Sequence, residues 1–318
     1  MATQTHLSVF AKGPERDRTT IPHEYVTGHF NARKEARMAL QVKPKIQKKT
    51  LEAVKILTFD IERIPGVAKV QHRGLSITGE FWDLGGWKHT LGRRIHADDV
   101  ISWPRTICAA ARWYGQKEVM FAAEWDDGHE QFMRTMWEWL DRADIAVGHN
   151  SVSFDEKHAR SGFMEYGWAP PSPWKSIDTL RVARSQLNFE SNTLDALAKR
   201  LGVVSKTDKY SADIAKAAVA GDAKAQKTIR LYNQGDVKAT EAVFDRLRPY
   251  IKNGPHLGMW TGKEWSCPNC GFDGIANNPT GEAYANVTRY KAFQCEKCGT
   301  HIRGNRKLQD PTHTRIYR

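Results

Sequence analysis

The sequence reads as an α/β domain built on a mixed β-sheet, followed by a small cysteine-rich module. Three observations carry this reading. Lys55–Glu62 (KILTFDIE) is a run of strand formers that ends in two carboxylates, and its apolar density predicts a strand buried on both faces. Downstream, the pattern passes from strands to a strand–helix alternation and then to helices, the order of an α/β domain. Four of the five cysteines crowd between residues 267 and 298.

Bulk composition sets the limits. At 318 residues and 36.1 kDa the chain holds one sizeable core plus a small appendage. Hydrophobic content of 40% with 10% aromatic residues excludes a disordered chain. There is no run of 18 apolar residues and no leader with a basic start and apolar centre, so a cytoplasmic protein with no membrane partner is expected. A disulfide framework does not suit that compartment, and Cys108, alone in an apolar run, reads as a small buried hydrophobe. The net charge of +12 is concentrated at the ends. Residues 1–50 hold ten Lys and Arg against four Asp and Glu, and residues 252–318 hold ten against five. Basic ends of this kind suit a polyanion such as nucleic acid, or simply solubility.

Taken in order, residues 1–50 lack sustained periodicity and read as a basic N-terminal arm, with a short helix possible around Asn31–Leu40. After the first strand, Val67–Trp82, Thr106–Trp113 and Glu118–Trp125 are strand-like by alternation or β-branched content. Gly85-Gly86 and Trp103-Pro104 mark loops between them. A helix over His129–Arg142 draws its apolar face from Phe132, Met133, Met136, Trp137 and Leu140. A short strand, Ile145–Val147, delivers Gly148-His149-Asn150 at its end. Helices are then expected over Phe154–Tyr166, Asp178–Gln186, Thr193–Leu201 and Ala223–Ile251, with Asn192-Thr193 and Asp195 offering a cap for the third. Residues 51–251 form this α/β domain, and residues 252–262 read as a linker.

Three short patterns carry chemistry. Strand side chains alternate faces, so Asp60 and Glu62 point the same way, and two like charges so close call for a cation. Asn150-x3-Phe154-Asp155 lies where a strand hands over to a helix, a common functional position in open α/β sheets. On its own, Asp155 needs no more than a favourable place beside the helix dipole. Tyr232-x3-Asp236 sits one turn apart on a single helix face. His149 reads as a hydrogen-bonded histidine rather than a base, and Asp178 as the cap of its helix.

Together and in this order, FDIE, HNSVSFD and YNQGD resemble the three motifs of the DEDD superfamily of 3′→5′ exonucleases, which share an RNase H-like fold. The pattern is most similar to the proofreading domains of family B DNA polymerases. Tyrosine four positions before the last Asp, with Leu231 where the other branch carries His, implies the DEDDy branch. The resemblance covers roughly residues 53–251. It implies that Asp60, Glu62, Asp155 and Asp236 hold two Mg²⁺ or Mn²⁺ ions, ions that suit hard oxygen ligands. It implies that Tyr232 orients the attacking water, and that Asn150 and Phe154 line the channel for the terminal nucleotide. Arg63 stands where many relatives carry Thr, and either meets a phosphate or points to solvent.

The second module is more specific in its own right. Cys267-Pro-Asn-Cys270-Gly and Cys295-Glu-Lys-Cys298-Gly are two C-x2-C knuckles separated by 24 residues. Each following glycine permits the tight turn that aims backbone amides at sulfur. Four thiolates suit one tetrahedral, structural Zn²⁺. With a strand expected over Tyr284–Phe293, the pattern resembles a zinc ribbon with a basic tail. Lys263, Arg289, Lys291, Lys297, Arg303, Arg306 and Lys307 surround it, and either nucleic acid or another protein is an expected partner.

The expectation is a stand-alone, metal-dependent 3′→5′ exonuclease acting on single-stranded DNA 3′ ends in replication or repair. Any proofreading would be in trans, for a replication or repair complex in a bacterial or phage-infected host cell. Two other readings stay open. An RNase D-like exoribonuclease shares the same motifs. A catalytically inactive nucleic-acid-binding or scaffold protein would need a damaged acidic set, whereas the four acids and the tyrosine are all present.

Overall fold

The computed structural model describes residues 54–308, apart from 73, 85–94, 204–209, 253 and 286–287. The N-terminal arm with its expected helix, the Gly85-Gly86 loop and the basic tail beyond residue 308 lie outside the described residues.

Strand β1 (Ile56–Ile64) is buried along nearly its whole length on both faces, as its apolar density requires of a central strand. It pairs antiparallel with β5 (Arg105–Trp113) on one side and parallel with β7 (Ile145–Gly148) on the other. Outside these lie β6 (Met120–Ala123), antiparallel to β5, and β8 (Lys175–Asp178), parallel to β7. The result is a five-stranded mixed sheet in the order β6-β5-β1-β7-β8.

Helices cover both faces. On one, α3 (His129–Asp141) packs Phe132, Met133, Met136, Trp139 and Leu140 against Leu57, Phe59 and Ile61 of β1. On the other, the long α8 (Ala223–Leu247) buries Ile229, Val237, Val243, Phe244 and Leu247. It is joined there by α5 (Thr179–Gln186), α6 (Leu194–Arg200) and α7 (Ala212–Val219). Helix α4 (Asp155–Glu165) follows β7 directly and packs on α3. No helix among the described residues is long and apolar enough to cross a membrane.

Several expectations need correction. Val67–Trp82 is not one strand: β2 (Val67–His72) and β3 (Leu75–Glu80) pair antiparallel as a hairpin, with His72 opposite Leu75, and the short helix α1 (Phe81–Leu84) follows. With β4 (Val100–Ser102), the hairpin makes a separate three-stranded sheet inserted between β1 and β5. Glu118–Trp125 is strand only over β6, because Glu124 opens the short, acid-rich helix α2 (Glu124–Asp127). On α3 the fully packed tryptophan is Trp139, which continues the stripe one turn on from Met136, while Trp137 lies at the rim and donates its Nε1–H to the Ala169 carbonyl at 2.9 Å. β8 and α7 are additions to the expected elements, β8 only four residues long and α7 with a buried stripe of alanines alone. β8 exists because β7 offers it a parallel edge, and α7 because Ala215 and Ala218 fit against Ile107 and Cys108.

Past Leu247 the chain runs through a 3₁₀ turn and the short helix α9 (Gly258–Thr261) to a second small sheet. β9 (Pro279–Ala285), β10 (Thr288–Gln294) and β11 (His301–Lys307) pair antiparallel in the order β11-β10-β9. The single strand expected over Tyr284–Phe293 is therefore two antiparallel strands, with Ala285 opposite Thr288. Leu257, in the presumptive linker, packs into the large domain beside Ile56, Ile145 and Phe244.

Candidate active site

The carboxylates of β1 emerge at the end of the strand covered by α8. Asp60 lies opposite Ala110 and Glu62 opposite Cys108, and the pairing shifts register immediately after Glu62. Such irregularities often sit beside functional sites. Asp60, Glu62 and Asp236 offer ligand oxygens that all lie within 4.8 Å of one another, with Glu62 and Asp236 buried. Residues 60 and 62 reach this point by strand alternation, and Asp236 reaches it because α8 crosses the sheet here. Tyr232 lies one helical turn before Asp236, its ring centroid 5.9 Å from that of Tyr210. Cys108, behind the pair, is fully buried. Burial pushes its thiol up, and the nearby Glu62 and Asp60 push the same way, so it stays a neutral hydrophobe.

Asp155 stands beside this trio rather than within it. Its Oδ1 accepts the backbone N–H of Ile61, the residue between Asp60 and Glu62, at 3.1 Å. Complete burial raises its pKa to about 7, hydrogen bonds from Ile61 and its own backbone pull it back, and Asp178 and Glu156 add to the rise. A cation nearby would return it to the ionised state. The donor set fits Mg²⁺ or Mn²⁺: clustered hard carboxylate oxygens, mutually repelling, on a floor of small side chains.

Two residues that carry no sequence signal complete the site. Asn233 is fully buried and donates from Nδ2 to Asp60 Oδ2 at 2.7 Å, fixing the orientation of that carboxylate. It follows Tyr232 in the motif, and only the crossing of α8 over β1 reveals its partner. Tyr210 donates its hydroxyl to the Arg63 carbonyl. Burial, and then Glu62, hold its pKa above the ordinary tyrosine value.

The turn before α4 is tightly specified. Asn150 has φ of 66°, the one non-glycine residue with positive φ among those described, and asparagine tolerates that region. Its N–H donates to Asp178 Oδ1 at 2.9 Å, and the same oxygen accepts from Leu180 and Arg181 as the cap of α5. Asp178 thus both caps its helix, as expected, and ties down the Asn150 turn. Gly148 is required here, because a Cβ would stand 2.4 Å from that of Ser151. Phe154 caps α4 with its ring edge-on to His158, centroids 4.7 Å apart. His149 Nδ1 lies 2.9 Å from Thr179 Oγ1, consistent with a packed role.

Arg63 is half-buried and does not simply point to solvent. Its Nη2 donates to the Pro104 carbonyl at 3.1 Å and its Nη1 lies 3.0 Å from His158 Nε2. Burial lowers the pKa of both partners, His158 to about 4, so the imidazole is neutral and can accept from the guanidinium.

The four cysteines of the second module form a separate cluster, their sulfurs all within 4.8 Å. Cys267 Sγ lies 3.7 Å from Cys298 Sγ, and Cys270 Sγ lies 3.6 Å from Cys295 Sγ. Zn–S bonds of about 2.3 Å in a tetrahedron give sulfur separations of about 3.8 Å, so the set fits Zn²⁺. Gly271 and Gly299 take φ of 70° and 71° after the knuckles, and their N–H groups donate back to Cys267 and Cys295. The Asn269 N–H lies 3.4 Å from Cys267 Sγ. Burial raises the Cys267 thiol strongly and Cys270 to about 11. Burial opposes ionisation of Cys298 too, but hydrogen bonds with Thr300 and its fellow cysteines bring it to about 7.

Residues 105–248 match the family model RNase_H_2, of the RNase H superfamily. That stretch contains Asp155, Tyr232 and Asp236; Asp60 and Glu62 precede it on β1. The mixed sheet flanked by helices is the RNase H-like architecture expected from the motifs. No curated protein matches the chain. Among solved structures it is similar to the family B DNA polymerase from the hyperthermophilic archaeon Pyrobaculum calidifontis, at 16% identity and a TM-score of 0.42. The match covers 62% of this chain and 25% of that one, so the chain spans about a quarter of that polymerase.

Proposed function

Because the chain carries an RNase H-like nuclease fold, we propose that it is a metal-dependent 3′→5′ exonuclease that removes nucleotides from DNA 3′ ends. The observation that supports this best is the meeting of Asp60, Glu62 and Asp236 within 4.8 Å, beside Asp155 and one turn from Tyr232. Asp60, Glu62, Asp155 and Asp236 would hold Mg²⁺ or Mn²⁺, two ions supplying a more acidic attacking water and charge stabilisation at the leaving 3′ oxygen. Asn233 keeps Asp60 in one orientation. Tyr232 positions the water and the scissile phosphate by hydrogen bonding, since a phenol with an ordinary pKa near 10 is a poor base at neutral pH. The Asn150 turn and Phe154 flank the place of the terminal nucleotide. The Cys267, Cys270, Cys295, Cys298 set would hold a structural Zn²⁺.

Two substitutions probe these roles. Tyr232→Phe is expected to leave metal activation unchanged while slowing turnover by about 10²-fold, the scale of a proton-handling or positioning group. Unchanged kcat would remove Tyr232 from the chemistry. Asn233→Ala is expected to raise the Mg²⁺ concentration for half-maximal hydrolysis by about 10- to 100-fold, as when a ligand loses the partner that orients it. An unaltered Mg²⁺ titration would make Asn233 a packing residue only.

RNA is the rival substrate. Matched DNA and RNA oligonucleotides, each hydrolysed in competition with the other, decide between them. Preference for DNA in kcat/KM supports the reading, and hydrolysis of RNA alone moves the protein to RNA processing.

A further inference from the structure

Seven cationic residues surround the zinc-ribbon module, and the sheet sorts them. Lys263 pairs with Asp273 at 3.2 Å and Arg289 with Glu282 at 3.1 Å. Register places Lys291, Arg303 and Lys307, because directly opposed residues share a face. Phe293 lies opposite Ile302, and both pack toward the cysteines. On the other face Ala292 lies opposite Arg303, Gln294 opposite His301 and Tyr290 opposite Lys307. β9 adds Gly281, Ala283 and Ala285 to this face, opposite Ala292, Tyr290 and Thr288. The outward face is thus a floor of small residues bearing one aromatic ring and a row of cationic or imidazole side chains. Its β9 carboxylate, Glu282, lies opposite Lys291 and so on the far side.

Arg303 and Lys307 are exposed, and neither forms an ion pair among the described residues. The Arg303 guanidinium lies over the Tyr290 ring, 4.4 Å from its centroid. A planar cation layered on an aromatic ring is pre-oriented. Its outer face is open to a flat π-system and its N–H edge to an anionic oxygen.

We propose that this outward face is a platform for single-stranded nucleic acid, a base stacking on the Arg303–Tyr290 layer while Lys307 meets the backbone. Flat π-faces alternating with phosphates are what such a surface complements. The row begins at His301, which lines a cavity of about 210 Å³ with Ile56 and Phe244 of the large domain and Leu257 of the linker. Ile56 stands at the opposite end of β1 from Glu62, six residues or about 20 Å along the strand. A nucleic acid reaching from the acidic cluster to the platform therefore spans several nucleotides, so the platform acts on long substrates only. The choice of ligand rests on the nuclease reading above, whereas the binding face rests on the ribbon geometry.

The test uses the full chain, zinc-loaded, in buffer without Mg²⁺ or Mn²⁺. Fluorescence anisotropy of 5′-labelled DNA 20-mers and 4-mers is followed across a salt series. Arg303→Ala/Lys307→Ala is expected to weaken 20-mer binding at least about tenfold and to lower the salt slope by about 1.4, two backbone or cation contacts at about 0.7 each. Binding of the 4-mer stays as in the parent. Arg303→Lys keeps the charge and therefore the slope, but loses the stacked plane and part of the affinity. Zinc content, measured by thiol-reagent release, confirms that each variant is folded, and Arg303→Lys decides if the double variant loses zinc. Parental affinity and slope for the 20-mer in zinc-loaded variants would overturn the proposal, leaving the face to a protein partner. Hydrolysis of the 4-mer with Mg²⁺ is a separate readout: its absence in the parent chain counts against the nuclease reading and leaves the binding result standing.

Discussion

Asp60→Ala and Asp236→Ala are each expected to lower hydrolysis by about 10³-fold or more while binding of nucleic acid survives. The two side chains reach one point from different elements, a central strand and the long helix, within 4.8 Å of each other and of Glu62. Removing either takes away a group placed where charge develops, and losses on this scale follow when such stabilisation is removed. Both sites tolerate the change sterically. Alanine already stands at positions 109–111 on the neighbouring strand, and removing one of three mutually repelling carboxylates relieves repulsion in the metal-free protein. Asp60→Ala also leaves the buried Asn233 amide without its acceptor, which offsets that relief by about 1–3 kcal/mol, so a folded protein of near-parental stability with activity lost is the expected signature. Retention of full rate in either variant removes the acidic cluster from the mechanism.

The second large effect concerns the ribbon. Cys267→Ser/Cys270→Ser is expected to drop bound zinc from about one ion per chain to near zero and to unfold residues 263–308 selectively. The module has a small core, built from Cys267, Ile275, Phe293 and Cys295 with Ile302 and Phe272 at its margin. So little apolar surface cannot hold three strands alone, whereas structural zinc contributes about 10–16 kcal/mol in comparable small sites. The large domain keeps its own cores around Leu57, Phe132 and Val243, to which the ribbon contributes nothing. A single unchanged melting transition, or undiminished zinc, would show that the four sulfurs do not hold the metal.

Legibility in the sequence followed the strength of the local physics. β1 was readable because a buried strand needs an uninterrupted apolar run, and its two carboxylates because alternation fixes their common side. The knuckles were readable because two C-x2-C-Gly turns specify both ligands and backbone. Asp178 reads as a cap and so does the Asn192-Thr193 pair, and in the structure Asp178 and Thr193 accept N–H groups of the helices they open. What escaped depends on partners distant in the chain. Asn233 carries no signal until α8 is laid across β1 and its amide meets Asp60, 173 positions away. Arg63 reads in the sequence as meeting a phosphate or pointing to solvent, and its partners, the Pro104 carbonyl and His158 of α4, show only once the chain returns there. β8 is only four residues long and is imposed by its neighbour β7, whereas α7 has a helical stripe whose buried positions are the small residues Ala215 and Ala218. The β2–β3 hairpin was read as one strand because its two halves share the same alternation.

The most direct test of the central claim is a denaturing-gel time course on a single-stranded DNA labelled at the 5′ end, and on the same strand labelled at the 3′ end, with Mg²⁺ and with the Asp60→Ala protein alongside. The predicted result is a 5′-labelled ladder that shortens one nucleotide at a time, with the 3′ label released at once as a mononucleotide, and no change in the Asp60→Ala lane. Internal cuts, shortening from the 5′ end, or intact DNA under conditions of tight binding would contradict it.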